Sequence, residues 1–258
     1  MLHSSEALGG AGRAVALEQV GLVTDWAPLL FFQKPRDTVY AYGMDPAAGR
    51  GGGDFGSLTV LDAYTGEEAV GFRSSAADYL DVANLARQLH DFGYRAASGN
   101  TFLNTPGGLV PEANNEALMP ELFRLFPLQY FYIQARPARP GFQEENPQRY
   151  GYWTGGASKK RLLDTFSSWC EQGKIRWHNP WLSQEVGRWV AQGGLWTYQV
   201  KSEMQAVLGH GDVTMSMAFA SMGVITWNQS EVNKGAPFVQ EPPKPYMSIA
   251  GRVAVRGR

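Results

Sequence analysis

The sequence predicts an α/β fold, a central mixed sheet with three antiparallel strands and following parallel strands, and helices on both faces. Three observations predict it. Alternating segments run from Val39 to Asp45, Ser57 to Asp62 and Glu67 to Phe72, near enough in the chain to form a meander. A helical repeat follows at once, and short apolar runs then alternate with further helical repeats. A last segment, Val213 to Val224, is apolar almost all round, so it is expected to be a buried helix.

Residues 1–37 carry Gly9, Gly10 and Gly12 and end in the apolar patch Leu29 to Phe32, which predicts an arm or linker packed on the main domain. The first strand sets Tyr40, Tyr42 and Met44 on one face and Ala41 and Gly43 on the other, and it ends on a carboxylate, Asp45. Pro46 stops it, having no N–H for a ladder. A glycine-rich loop, Gly49 to Gly56, leads to the second strand, and the turn Tyr64-Thr65-Gly66 to the third. Ser75 to Asp78 has the form of a capping signature for a helix in which Tyr79, Val82, Ala86 and Leu89 recur up to Gly93.

Gly108 to Pro111 reads as a short strand that leads to Glu112, followed by a helix from Pro120 to Phe126. Tyr130 to Ile133 is expected as a further strand and Arg136 to Arg149 as a loop. Ser158 is placed to cap a helix with Leu162, Phe166, Trp169 and Cys170 on one face, closed by Gly173. A short strand, Ile175 to Trp177, precedes Asn179-Pro180, a cap and first-turn proline for a helix with Leu182, Val186, Trp189 and Val190 inward. Trp196 to Val200 is a strand or hairpin arm. Beyond Asn228 the chain turns Pro-rich and basic. The expected organisation is therefore an arm at 1–37, a domain at 38–227 and a basic tail at 228–258.

At 258 residues, with 18% charged and 44% hydrophobic residues, the chain is an ordinary globular protein whose core needs no disulfide. Its net charge of −1 assigns any nucleic-acid contact to local patches. The single cysteine, Cys170, is expected in the core. With no signal-peptide pattern and no long apolar run, a cytoplasmic protein with no membrane contact is expected. Gly155 to Arg161 lacks the spacing of a phosphate-binding loop, so ATP hydrolysis is not expected.

Asp45 and Glu112 stand at strand ends and Asp212 at the start of the buried helix. Each has a local role open to it: Asp45 as a turn residue, Glu112 as a helix-opening acid, Asp212 as an N-cap. Taken together they match an RNase H-like fold, where the first and fourth strands lie side by side and a late helix brings its acid over them. Lys159, Lys160 and Arg161 open a helix, where cations oppose the macrodipole, so they serve either an anionic partner or a solvated face. Trp153, Trp169, Trp177, Trp181, Trp189 and Trp196 are expected to be packing residues.

The sequence resembles the nuclease domain of the large terminase subunit of tailed bacteriophages. The resemblance is carried by Gly43-Met44-Asp45-Pro46-Ala47 with the glycine loop and Asp54, by Pro111-Glu112-Ala113-Asn114-Asn115, by Tyr152-Trp153-Thr154 ahead of Ser158-Lys159, and by Gly209-His210-Gly211-Asp212. It covers about Thr38 to Val224. It implies a metal-dependent endonuclease acting on double-stranded DNA during genome packaging in the host cytoplasm. Two Mg²⁺ or Mn²⁺ ions would be held by Asp45, Glu112 and Asp212, with Asp45 shared between them. DNA backbone would be gripped by Lys159, Lys160, Arg161 and Arg149. The implied partners are a terminase ATPase domain, the small terminase subunit and the portal. Two departures stand out. Relatives commonly carry an acidic pair, or a His and Asp, ahead of the last helix, where this chain has Gly211, leaving His210 as the stand-in catalytic candidate. The ATPase domain is also absent from this sequence. A junction resolvase or integrase-like nuclease of the same fold would need the same acids, and a silent DNA-binding or capsid-docking module would keep the fold without them acting.

Overall fold

The order of hydrogen-bonded strands explains why distant acids meet. The structure is a computed structural model and describes residues 29–46, 55–99, 107–135, 148–192, 195–199 and 211–233. Strands β1 (Leu29–Phe31), β2 (Tyr40–Asp45), β3 (Gly56–Asp62), β4 (Glu68–Ser74) and β5 (Leu109–Pro111) form one sheet in the order β1-β4-β3-β2-β5. β2 pairs antiparallel with β3, β3 with β4, and β4 with β1, whereas β5 joins β2 in parallel with Met44 opposite Pro111. Meander strands with a parallel strand beside the first are the RNase H-like arrangement. β1 lies in the segment expected as an arm, and it covers the outer edge of β4, which would otherwise offer an unpaired ladder.

The alternation along β2 decides which core each side chain enters. Tyr40, Tyr42 and Met44 join one apolar cluster with α1 (Tyr79–Phe92) and α2 (Leu118–Leu125). Ala41 belongs to the other, filled by α3 (Gly156–Glu171), α4 (Pro180–Val186) and α5 (Asp212–Asn233). The sheet thus carries helices on both faces.

Several local expectations change. Asp78, not Ser75, caps α1: its Oδ1 accepts from the Leu80 and Asp81 amides while Asp81 reaches back to the Asp78 amide. α2 starts at Leu118, where Asn115 Oδ1 accepts from the Ala117 and Leu118 amides. Tyr130 to Ile133 divides into a 3₁₀ turn at Leu128–Tyr130 and β6 (Ile133–Ala135), which pairs with β7 (Gln148–Tyr150), a strand that begins within the end of the stretch expected as a loop. Ser158 lies in the first turn of α3, its hydroxyl accepting from the Gly155 amide. Ile175 to Trp177 forms no strand; Arg176 makes a single bridge to Glu67. α4 stops at Val186, so Trp189 and Val190 belong to β8 (Trp189–Gln192), which pairs with β9 (Leu195–Tyr198). α5 runs past Val224 to Asn233 because no Pro or Gly interrupts it there. Cys170 does pack against the second cluster, and burial pushes its thiol up. Asp62 is a turn residue, accepting from the Tyr64 and Thr65 amides.

Glu68 ties the sheet to the start of α4. It is fully buried, and its Oε2 accepts from the amides of His178 and Asn179 at 2.8 and 3.0 Å, yet burial still pushes its carboxyl up to about 7. A folded-state value above the ordinary glutamate value means that folding takes up a proton, so stability falls as pH rises from about 4.5 to about 7. The loss for such a group is on the order of 3 kcal/mol. Glu68→Gln keeps an acceptor for both amides, so urea melts at pH 5 and 8 should differ less for the variant than for the wild type. An unchanged difference would rule Glu68 out as the source.

Candidate active site

Asp45 is the last residue of β2, and Glu112 directly follows β5. Because the two strands run parallel in register, the Glu112 amide donates to Met44 O at 2.9 Å and sets the two carboxylates at the same sheet end. Asp212 is brought to that end by α5, which lies along β2 and β3. The start of β3 and the residue before it fix it: Ser57 Oγ donates to Asp212 O at 2.8 Å, and the Phe55 amide donates to Asp212 Oδ2 at 3.1 Å. Residues from three remote segments are therefore neighbours, as the sequence order predicts.

Their charges interact. The Asp45 carboxyl is pushed well above the ordinary aspartate range, first by burial and then by the nearby Glu112 and Asp212, with the Lys159 ammonium opposing. Thr154 Oγ1 donates to Glu112 Oε1, and Asn114 holds Thr154 in turn, accepting from its amide at 3.0 Å. Among the described residues, no group of three or more His, Cys, Asp or Glu side chains is arranged so that it could hold a metal ion.

The basic candidates separate. Lys159 lies near Asp45, whose charge it favours, and its Nζ sits 5.2 Å from the Trp189 ring centroid. Lys160 is paired with Asp164 along α3. Arg161 lies at the hydroxyls of Tyr152 and Tyr132. Arg149, on β7, stacks over Trp153 at 4.4 Å. His210, Asp54 and most of the Gly49 to Gly56 loop lie outside the described residues.

Sequence reasoning passes over two charged residues beside Asp212. Glu185 on α4 is fully buried, and its Oε2 accepts from the Thr214 amide and hydroxyl at 2.9 and 3.0 Å, which holds the first turn of α5. Burial, with Asp212 adding to it, pushes Glu185 up to about 7 against the Thr214 hydrogen bonds and Arg73. Arg73 stacks over Phe55 at 3.7 Å and faces both Glu185 and Asp212. No local signal marks Glu185, since its partner lies 29 residues away.

Gly211 stands where an acid was expected for a reason of backbone and space. Its φ is +89°, and a Cβ there would lie 2.7 Å from Cζ2 of the buried Trp189. Gly211→Asp is therefore expected to destabilise by about 2 kcal/mol or more rather than to complete a metal site. Urea melts check the first half and cleavage assays the second; a stable variant with faster cleavage would overturn both.

The sequence matches no protein-family model and no curated protein. Among solved structures, the chain is similar to the large terminase nuclease of thermophilic phage G20c, at 18% identity and TM-score 0.49, over 75% of this chain and 87% of that one. The same nuclease with bound magnesium matches at 19% identity and TM-score 0.48, over 75% and 86%. The large terminase nuclease domain of Thermus phage P74-26 matches at 16% identity and TM-score 0.47, over 74% and 83%. No helix among the described residues is long and apolar enough to cross a membrane.

Proposed function

We propose that this protein is a metal-dependent endonuclease that cuts concatemeric double-stranded viral DNA during genome packaging, with two Mg²⁺ or Mn²⁺ ions. The observation that carries this reading is geometric: the parallel pairing of β5 with β2 and the packing of α5 along β2 and β3 bring Asp45, Glu112 and Asp212 to one sheet end. Three carboxylates from remote parts of the chain crowd one sheet end at a cost that a bound cation would reverse. The donor set fits hard divalent ions, since it offers only oxygen. Thr154 donates to one oxygen of Glu112 and the Phe55 amide to one of Asp212, which orients both side chains. When bound, such ions supply an activated water and stabilise the leaving oxyanion.

Asp45 would be held in common by the ions, with Glu112 and Asp212 each contributing to one. Lys159 reaches the acids from α3 and is placed to meet a phosphate oxygen. Arg149 and Arg161 extend the cationic surface, and contacts to phosphate position a duplex without reading its sequence. The test is nicking of supercoiled plasmid with Mg²⁺ or Mn²⁺ against EDTA, together with thermal melts with and without Mn²⁺. Metal-dependent nicks and a raised melting temperature are expected. No cutting with either ion and an unmoved melt would end this reading, and strong preference for four-way junctions would favour a resolvase.

A further inference from the structure

Of the six tryptophans expected in the core, Trp169, Trp177, Trp181, Trp189 and Trp196 belong to or pack against the second apolar cluster. Trp153 packs on neither cluster and is 42% exposed. It is nevertheless held in place. Its amide donates to Oε1 of the buried Gln134 at 2.7 Å, and its carbonyl accepts from Ser158 Oγ at 2.8 Å. The Arg149 guanidinium lies over its ring. The next residue, Thr154, is the one that donates to Glu112.

Leaving an indole in water forfeits the burial that makes tryptophan worth having, so a fixed, exposed one beside an acid cluster is arranged for a partner. The partner's chemistry follows from the pair. An aromatic face takes the face of a nucleobase, and a guanidinium takes a phosphate. Paired bases hide their faces inside the duplex, so the match is to a base that has left the stack.

We propose that Trp153 and Arg149 form a contact for an unpaired nucleotide beside the acid cluster, the indole stacking on the base and the guanidinium binding its phosphate. This inference rests on the nuclease reading for the identity of its partner. It assigns the site a grip on a strand that has opened near the cut, in addition to the sequence-independent hold on duplex backbone.

The experiment measures binding by fluorescence anisotropy in EDTA, using a labelled oligothymidylate and a labelled hairpin duplex at two salt concentrations. Trp153→Ala should weaken the oligonucleotide about tenfold and the duplex far less. Trp153→Phe should restore most of the binding. Arg149→Ala should weaken both and lower the salt dependence by about one charge. Wild-type affinity in Trp153→Ala, equal loss for both DNAs, or no oligonucleotide binding by the wild type overturns the proposal. Plasmid cleavage by the wild type separates it from the nuclease reading. If Trp153-dependent binding is found without any cleavage, the contact stands and the nuclease reading falls. If cleavage is found and Trp153→Ala binds like the wild type, the contact falls alone.

Discussion

Asp45→Asn is expected to lower metal-dependent DNA cleavage about a thousandfold while leaving the metal-free protein as stable as the wild type or more so. The two halves have one cause. Asparagine has the shape of aspartate without its charge, so it cannot serve as the shared anionic ligand proposed for Asp45, and losing one such group from a preorganised site costs up to about 10³ in rate. In the metal-free fold the same charge is unwelcome. Burial, Glu112 and Asp212 all push the Asp45 carboxyl up, so folding takes up a proton and stability falls as pH rises from the ordinary aspartate value through the raised one. Replacing the group with a neutral isostere removes that loss. Plasmid nicking reads the first half, and thermal melts in EDTA at pH 5 and 8 read the second. The rise in melting temperature on adding Mn²⁺ should shrink in the variant. Cleavage within tenfold of the wild type would sink the site assignment. A variant that is inactive and also strongly destabilised would show Asp45 to be a structural residue.

What the sequence revealed and what it hid follow from the range of the interactions. β2, β3 and β4 are legible because alternation of side chains is a local pattern, and Asp45 and Glu112 because a strand end is marked by Pro46 in one case and a short apolar run in the other. The β6-β7 ribbon is hidden because three-residue strands carry too little alternation to stand out from an Arg- and Pro-rich stretch. Trp189 and Val190 keep helical spacing with Leu182 and Val186, yet α4 ends before them and β9 gives them a partner that spacing cannot show. Glu185 carries no mark in the sequence, because what buries it is α5, whose Thr214 it accepts from across 29 residues. Trp153 is the reverse case, since composition places it in the core and only the contacts around it leave it at the surface.

Gly43→Ala is expected to cost about 4 kcal/mol or more, a large part of the ~5–15 kcal/mol that holds a typical domain together. A Cβ at position 43 would lie 1.8 Å from Ser216 O and 2.4 Å from the Ala220 amide nitrogen. Both are backbone atoms of α5, so no rotamer change relieves the overlap, and ordinary overpacking costs of ~1–3 kcal/mol understate it. The helix would have to lift from β2, opening the core around Met217, Phe219 and Ala220, all fully buried. Gly156→Ala is the control, because a Cβ there meets nothing within 4 Å and alanine favours a helix, so that variant should be neutral or up to about 1 kcal/mol more stable. Urea melts of the two variants test the contrast, and a Gly43→Ala protein within about 1 kcal/mol of the wild type would refute it. The close approach has a consequence for the site. Gly43 stands two residues before Asp45, and the helix backbone it admits is the one that begins at Asp212. If α5 lifts, Asp212 leaves the sheet end with it, so any folded fraction of Gly43→Ala should bind Mn²⁺ more weakly than the wild type, as a reduced thermal shift would show.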